Sequence, residues 1–248
     1  MAADHLSPRE IRRYQKQIMI PEIGNQGQVK LRNASVLVIG AGGLGCPVLQ
    51  YLTAAGVGKI GIVEFDTVDE TNLQRQILYG SSDVGKLKSI IAKKHLEYLN
   101  PLINLEIINL KINQTNSQNI LSNYDIIVDA TDNLEARYSI NDSCVLLNKP
   151  MVHGGIYKFE GQVSVFNYNG GPDYRSYNPE VKNSALKDPQ PADVGLLGVL
   201  PGITGTYMAN EVIKIITGTG TVLSGKILIF NILYNTYNII KIISYKES

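Results

Sequence analysis

The chain has 248 residues, which suffices for one large α/β domain or two small ones. With 44% hydrophobic and 18% charged residues, its composition is that of an ordinary globular protein. A formal net charge of +1 gives no electrostatic reason to expect nucleic acid or an anionic membrane as a partner. No apolar run is long enough to span a membrane, and the polar N-terminus lacks the apolar centre of a secretory signal, so we expect a cytoplasmic protein.

The N-terminal segment predicts a helical arm. From Ser7 to Leu31 the pattern favours one helix and then an irregular link through IPEIGNQGQ. Ser7 is followed by Pro8 and by Glu10 at the spacing of a capping box, which is typical of a helix start. We therefore assign the arm to residues 1–33.

Strand and helix patterns alternate in the next part of the chain. Apolar strands are predicted at Val36–Ile39 and Lys59–Phe65, and helices at Gly45–Ala55 and Lys86–Leu99. NLEIINLKI alternates as a strand does, and YDIIVDAT is a short apolar run suited to a buried parallel strand. This alternation predicts a doubly wound, Rossmann-like α/β sheet, mostly parallel, in a nucleotide-binding half at residues 34–150.

Residues 151–248 follow a different pattern. MVHGGIYKFEGQVSVFNY predicts two strands, and GKILIFNILYNTYNIIKIISY predicts two more with a tight turn near Tyr234–Asn235, so antiparallel strands should extend the sheet. A helix ending at Gly218 comes before the second pair. Residues 169–193 lack periodicity and predict a long crossover loop, a kind of segment that is usually functional or mobile. We expect all of this to form one domain over residues 1–248.

A glycine turn follows the first strand and precedes a helix. Gly40, Gly42 and Gly45 have the G-x-G-x-x-G spacing that allows a sharp turn and a close approach of the backbone to phosphate. The amide groups at the helix start then favour an anion. Glu64, at the end of the second strand, is placed to accept hydrogen bonds from ribose hydroxyls. Up to this point a nicotinamide-dependent dehydrogenase explains the pattern as well as an ATP-binding enzyme does.

The segment after the second strand, EFDTVDETNLQRQILY, is crowded with polar side chains: Glu64, Asp66, Asn72, Arg75 and Gln76. Lys88 follows along the chain, and Asp132 lies at the end of the fourth strand in VDATDN. The carboxyl ends of the strands line the ligand crevice of an open α/β sheet, so these side chains should converge. Two cations and one carboxylate are what a magnesium-bound triphosphate requires, whereas hydride transfer has no need of Arg75.

Longer motifs carry a more specific resemblance. They are the stretch from YQKQIMIPEIGNQG to NLQRQILY, then DVGKLK, DATDN, HGGIYKFEGQVSVF and GVLPGITGTYMANEVIKIITG. With these motifs the sequence resembles the ThiF/MoeB branch of the ubiquitin-activating-enzyme superfamily, from about Arg12 to the last strand.

The resemblance implies a reaction. Members of this branch bind Mg–ATP and adenylate the C-terminal glycine carboxylate of a small ubiquitin-like sulfur-carrier protein ending in Gly-Gly, with release of pyrophosphate. The carrier is ThiS-like or MoaD-like and serves thiamin or molybdopterin biosynthesis; the sequence leaves the pathway and the sulfur donor open. A homodimer is also implied, with residues 151–248 as the carrier-binding half. No protein nucleophile is needed for the adenylation step.

The resemblance also implies roles for single residues. Arg75, Lys88 and Asp132 would be catalytic, Asp132 would hold magnesium, and Lys16 would reach the ATP of the partner subunit. The residues expected to contact the nucleotide within one chain are Gly40, Gly42, Gly43, Gly45, Glu64, Asp66, Asn72, Arg75, Lys88, Asp132 and Asn133.

The cysteines depart from the family pattern. Many members bind structural zinc through two Cys-x-x-Cys pairs, but here the positions of the first pair hold Asp173 and Ser176, so we expect no zinc site. A cysteine that some members use for a covalent link to the carrier is replaced by Pro191, which leaves a thioester or persulfide step open. Cys46 and Cys144, the only cysteines, are expected to be small buried side chains.

A further departure concerns the N-terminal arm. Lys16 stands where the family has an arginine, and lysine keeps the charge but loses the fork that grips phosphate at two points. Two outcomes stay open: Arg13 compensates, or the site binds ATP more weakly. Glu64 in place of the commoner aspartate is a milder change, because both side chains accept ribose hydrogen bonds.

Three other functions remain alternatives to activation of a sulfur carrier. A nicotinamide-dependent oxidoreductase lacks an obvious pair of proton-transfer residues, since His153 is expected to be packed rather than catalytic. A binding module without activity is disfavoured by the retention of Arg75, Lys88 and Asp132. An adenylyltransferase acting on a peptide or natural-product precursor fits the residues as well as the main hypothesis does.

Overall fold

The computed structural model describes residues 5–179 and 195–242. Its N-terminal arm contains two helices, α1 (Pro8–Ile18) and α2 (Gly24–Asn33). The predicted capping box is confirmed: the Ser7 hydroxyl accepts from the Glu10 amide N–H at 3.2 Å, and the Glu10 carboxylate accepts from the Ser7 amide N–H at 2.7 Å.

The irregular link predicted after α1 is wrong from Gly24 onward, because α2 begins there. The glycines of IPEIGNQGQ lower the intrinsic helix propensity of this stretch. Gly27 and Leu31 are nevertheless buried, and the Lys30 ammonium donates to the Thr217 carbonyl at 2.9 Å. Tertiary packing therefore stabilises a helix that the local sequence does not favour.

Five parallel strands form the first part of an eight-stranded sheet. They are β1 (Ser35–Ile39), β2 (Lys59–Val63), β3 (Asn104–Ile108), β4 (Ile126–Asp129) and β5 (Met151–Tyr157). The helices between them are α3 (Gly45–Ala55), α4 (Lys88–Leu99), α5 (Ser117–Leu121) and α6 (Leu134–Leu146). The strand order β3-β2-β1-β4-β5 confirms the predicted doubly wound parallel arrangement.

Three antiparallel strands extend the sheet, as predicted. They are β6 (Glu160–Phe166), β7 (Lys226–Asn231) and β8 (Thr236–Lys241), in the order β5-β6-β7-β8. The segment predicted as a long loop is wrong in one respect, since it contains the short helix α7 (Tyr174–Tyr177). The last part of the predicted loop, residues 180–193, lies outside the described residues.

The last helix, α8 (Val199–Thr217), lies between that loop and β7. It ends at Gly218 as predicted, and the φ of +75° there is the left-handed conformation that glycine favours at a helix end. No helix among the described residues is both long and apolar enough to cross a membrane.

Two apolar cores lie on opposite faces of the sheet, because side chains alternate along each strand. Val36 and Val38 of β1 pack with α3, α4 and α8, whereas Leu37 of the same strand packs with α5, α6 and α7. Cys46 belongs to the first core and Cys144 to the second, and both are fully buried, as predicted. Helices on both faces leave the carboxyl ends of the parallel strands as the accessible edge of the sheet.

The turn between β1 and α3 is the tightest point at that edge. A Cβ atom at Gly45 would overlap the carbonyl oxygen of Gly40. Gly40 itself has a φ of +97°, and a Cβ there would lie 2.7 Å from the Ala130 carbonyl oxygen beyond β4. Glycine is required at both positions because helix and turn pack directly against each other.

Replacement of Gly45 by alanine should therefore destabilise the fold. We expect Gly45→Ala to lower the free energy of unfolding by about 1–3 kcal/mol or more, since the backbone of the turn must shift to admit a methyl group. Urea unfolding followed by circular dichroism measures this change. Gly80→Ala is the control: a Cβ there meets nothing nearer than Asp83 Oδ2 at 3.8 Å, and Gly80 lines neither of the two large pockets in the described part of the chain, so stability should hold. Equal unfolding midpoints for Gly45→Ala and the unsubstituted protein would contradict the packing argument.

Candidate functional site

A cavity of about 620 Å³ opens at the carboxyl ends of β1, β2 and β4. This is the edge where an open α/β sheet binds its ligand. Nine of the residues predicted from the sequence line it: Gly40, Gly42, Gly43, Glu64, Asp66, Arg75, Lys88, Asp132 and Asn133. The predicted convergence of the glycine turn with these charged side chains is therefore found in the structure.

The glycine turn is held in place by hydrogen bonds from both sides. The Ala41 amide N–H donates to Glu64 Oε2 at 2.9 Å, and the Ala41 carbonyl accepts from the Tyr79 hydroxyl at 2.8 Å. Burial raises the pKa of Tyr79, so its phenol stays protonated and able to donate. The turn is thus fixed by the fold without the help of a ligand.

Backbone amides occupy most of the acceptor positions of the Glu64 carboxylate. Besides Ala41, its carboxylate accepts from the amide N–H groups of Phe65 at 2.9 Å and Asp66 at 3.0 Å. A carboxylate offers roughly four acceptor positions, so about one remains. Glu64 can therefore accept from a single ribose hydroxyl, and its larger role is to join the glycine turn to the end of β2.

Lys88 and Arg75 both bring a positive charge to the lining of the cavity. Lys88 is the first residue of α4, with a side chain only 6% exposed, and its ammonium lies 3.4 Å from Asp66 Oδ2. Arg75 is partly exposed and donates from Nη1 to the Thr71 carbonyl at 3.0 Å. A buried lysine with one partly exposed carboxylate as its partner keeps donors that a phosphate can use.

Cations outnumber acids around the cavity. Among the described residues, its charged lining side chains are Arg75, Lys88, Lys111, Arg137, Lys158, Glu64, Asp66 and Asp132. Five are positive and three are negative, although the whole chain has a formal net charge of only +1. The local excess of positive charge favours a polyanion in this cavity.

Three residues predicted to contact the nucleotide do not line the cavity. Gly45 lies beneath the turn, where it permits the approach of α3. Asn72 belongs to the short 3₁₀ helix Glu70–Asn72, and its side-chain amide lies 3.5 Å from the Thr71 hydroxyl. Lys16 lies on the exposed surface of α1, so within one chain it does not contribute to this cavity.

Sequence reasoning missed several groups at the site. Lys111 and Lys158 lie in connections after β3 and β5, and Arg137 lies one turn into α6. Only the fold brings these three cations together. Asp129 was also missed, although its position as the last residue of β4 and the first residue of the DATDN motif was a usable signal.

His153 is packed in the core, as expected. It is 2% exposed, its Nδ1 lies 2.8 Å from Asp129 Oδ2, and it does not line the cavity. Burial lowers the pKa of His153, while the hydrogen bond to Asp129 opposes that shift. The imidazole is therefore neutral near pH 7 and donates its Nδ1 proton to Asp129.

At the positions of the family's first cysteine pair, Asp173 and Ser176 form a helix cap. Asp173 caps α7, where its Oδ1 accepts from the Ser176 amide N–H at 2.9 Å. Tyr174 of the same helix packs on His153 and Phe166, with ring centroids 5.0 and 5.5 Å apart. Within the described residues, no group of three or more His, Cys, Asp or Glu side chains is arranged to hold a metal ion. This segment is thus anchored by hydrogen bonds and aromatic packing.

Neither cysteine has the environment of a reactive thiol. Burial raises the pKa of Cys46 to about 12 and raises the pKa of Cys144 further. Both side chains are fully buried. Pro191, which stands at the position of the family's covalent cysteine, lies outside the described residues.

The sheet order, the glycine turn and the cationic cavity together define a nucleotide-binding α/β protein. Comparison with known proteins is more specific, because the ThiF family model matches residues 14–248. The chain belongs to the ThiF family.

Curated relatives are similar over nearly the whole chain. A probable molybdopterin-synthase adenylyltransferase of Porphyra purpurea is 48% identical over 96% of this chain, which spans 62% of that relative. A sulfur carrier protein adenylyltransferase of Thermus thermophilus is 46% identical over 90% of this chain and 84% of its own length. A probable adenylyltransferase/sulfurtransferase MoeZ of Mycobacterium tuberculosis is 45% identical over 97% of this chain, which spans 62% of MoeZ.

Solved structures share the fold at lower sequence identity. Microcin C7 biosynthetic enzyme MccB in complex with N-formylated MccA has a TM-score of 0.84 at 22% identity, covering 96% of this chain and 75% of that one. E. coli MccB with ATP has a TM-score of 0.82 at 23% identity, covering 93% of this chain and 71% of that one. At this level of identity the similarity concerns the fold.

The burial of both thiols predicts slow alkylation. We expect Cys46 and Cys144 to resist alkylation by iodoacetamide at pH 8 in the native protein, because burial hinders the reagent and disfavours the thiolate. Mass spectrometry should show both sites labelled once urea has unfolded the chain. Rapid labelling of either cysteine in the native state would contradict the packing described here.

Proposed function

We propose that this chain is an ATP-dependent adenylyltransferase that activates the C-terminal glycine carboxylate of a ubiquitin-like sulfur-carrier protein ending in Gly-Gly. The observation that carries the proposal is the cavity in which a fixed glycine turn faces Arg75, Lys88 and Asp132. Membership of the ThiF family and the names of the relatives from Porphyra purpurea and Thermus thermophilus support it.

Charge neutralisation and positioning supply the catalysis in this proposal. An oxygen of the carrier's terminal carboxylate forms a bond to the α-phosphorus of ATP, the bond from that phosphorus to the β-bridging oxygen breaks, and pyrophosphate leaves. The attacking carboxylate and the triphosphate are both negative, so their repulsion opposes the reaction. Arg75 and Lys88 neutralise phosphate charge, and the turn presents the backbone amides of Gly42 and Gly43 to the phosphates, since those of Gly40 and Ala41 already donate to Val63 and Glu64.

A magnesium ion fits the donor set at Asp132. This carboxylate is exposed to the cavity and has the hard oxygen donors that magnesium prefers. One protein carboxylate is enough where phosphate and water supply the other ligands. When bound, the ion would add positive charge beside the phosphate oxygens.

The nature of the carrier is the least constrained part of the proposal. The Porphyra purpurea relative is named for molybdopterin synthase, which favours a MoaD-like carrier over a ThiS-like carrier of thiamin biosynthesis. An oxidoreductase is disfavoured by ThiF family membership. The cytoplasmic location expected from the sequence stays a prediction.

A homodimer also belongs to the proposal. A groove of about 970 Å³ lies beside the cavity, lined chiefly by apolar side chains of α3, α8 and the neighbouring loops. Tyr51, Ile77, Leu99 and Val199 line it and are all substantially exposed in the single chain. An exposed apolar surface of this kind is typical of an interface, and we assign it to a second copy of the chain, whose Lys16 would reach this chain's ATP.

Removal of the Lys88 charge should impair activation. We expect Lys88→Ala to lower kcat/KM by about 10²-fold in ATP–pyrophosphate exchange with a Gly-Gly-terminated carrier, because one donor to the phosphates is lost. The matched control is Lys93→Ala on the same helix, where the lysine pairs with Glu97 at 3.7 Å outside the cavity. Exchange that needs no carrier, or equal exchange in the two variants, would contradict the proposal.

The assembly can be tested separately. A charge in the groove should weaken self-association, so we expect Ile77→Asp to raise the dimer dissociation constant at least about tenfold, or roughly 1.4 kcal/mol. Analytical ultracentrifugation measures this. Tyr98→Asp is the control, because Tyr98 is 94% exposed and does not line the groove. A monomeric unsubstituted protein, or equal association of the two variants, would refute the assignment of the groove.

A further inference from the structure

Thr131, the residue before Asp132, has all of its polar groups tied to charged side chains. Its amide N–H and its hydroxyl donate to Asp129 Oδ1 at 3.1 and 2.6 Å. Its carbonyl accepts from Arg137 Nη2 at 2.8 Å. The backbone on the N-terminal side of Asp132 is therefore fixed by one carboxylate and one guanidinium.

The other oxygen of Asp129 faces two further groups. Asp129 Oδ2 lies 2.8 Å from His153 Nδ1 and 3.7 Å from Arg137 Nε. Asp129 is completely buried, and burial alone would raise its pKa, but the hydrogen bond from His153 and the charge of Arg137 hold it below the ordinary value. A charged carboxylate is thus maintained inside the protein, next to the cavity.

Stability alone does not account for this buried charge. Ion pairs in a protein interior are often no more stabilising than apolar side chains of the same size, because desolvation offsets their attraction. The pair is also incompletely satisfied: among the described residues, Arg137 Nε is buried without a hydrogen-bond partner. The cluster of Asp129, His153 and Arg137 carries a desolvation cost and lies beside the cavity, so we look for a functional explanation.

Asp132 is held from its C-terminal side as well. Asn133 caps α6, where its Oδ1 accepts from the Ala136 amide N–H at 2.8 Å. The Asp132 side chain is exposed between these two anchors and lines the cavity. The main chain of Asp132 is therefore immobilised by both neighbours, while its carboxylate stays available to a ligand.

We infer that Asp129 is a positioning residue for the magnesium site: through Thr131, and braced by His153 and Arg137, it fixes the direction of the Asp132 carboxylate. The inference rests on the proposed function, which assigns magnesium to Asp132. Residues that orient metal ligands in this way contribute roughly 10–100-fold to metal affinity. Asp129 acts on the ion only through Asp132 and does not touch the nucleotide.

The test measures nucleotide binding rather than turnover. Calorimetric titration with ATP is carried out at a series of Mg²⁺ concentrations and in EDTA, on the unsubstituted protein and on Asp129→Asn. Asparagine keeps the size of the side chain but turns an amide N–H₂ toward donors. We expect the Mg²⁺ concentration for half-maximal enhancement of ATP affinity to rise about tenfold, with ATP affinity in EDTA unchanged.

Two further variants separate positioning from general damage. Asp142→Asn lies on the same helix as Arg137 and breaks an ion pair with Arg175, at 2.7 and 2.8 Å, outside the cavity; its Mg²⁺ response should equal that of the unsubstituted protein. Thr131→Val removes only the hydroxyl link to Asp129 and should shift the response in the same direction by a smaller factor. If Asp129→Asn does not fold, the Thr131→Val result decides the question.

The possible outcomes are distinct. Equal Mg²⁺ dependence of the unsubstituted protein and Asp129→Asn, or of the unsubstituted protein and Thr131→Val, overturns the inference and leaves the proposed function intact. A loss of ATP affinity in EDTA as large as the loss in Mg²⁺ also overturns it, because that pattern indicates a disturbed cavity. Failure of the unsubstituted protein to bind ATP at all overturns the proposed function.

Discussion

The contact between the start of α3 and the end of β1 is the constraint on which the rest of the site depends. Without a side chain at Gly45, the helix begins directly against the Gly40 carbonyl, and the amides of its first turn have no partner within the helix. Glu64 and Tyr79 then hold Ala41 from two sides, so the turn cannot open toward solvent. The shape of the turn therefore follows from packing within the protein, and a ligand meets it already formed.

A second constraint is the buried negative charge of Asp129, whose neighbours Ala130 and Thr131 line the cavity. Asp129, at the end of β4, links Thr131 to His153 of β5 and to Arg137 of α6. Through the ring of His153 the cluster also touches Tyr174, at the beginning of the crossover segment. Asp173 and Ser176, at the positions of the family's first cysteine pair, form a helix cap in this segment, and the ring of Tyr174 packs against the cluster beside the cavity.

How much the sequence predicts depends on whether the signal is local. Alternation of strands with helices predicted the parallel sheet, and the G-x-G-x-x-G spacing predicted the turn at Gly40, because both patterns lie within a short stretch of chain. α2 was missed because burial, not propensity, stabilises it. Lys111, Arg137 and Lys158 were missed for another reason: they come from three elements that only the order of strands brings together, and a single sequence carries no sign of such pairing.

One short segment forms a wall of two spaces. Gln74 and Arg75 line the nucleotide cavity on one side and the apolar groove on the other. A ligand in the cavity and a subunit in the groove would therefore both contact Gln74 and Arg75. If a second copy fills the groove, then ATP affinity and subunit affinity are thermodynamically linked, and each ligand alters the binding of the other by the same factor. Under that linkage, the affinity for ATP would depend on the concentration of the protein.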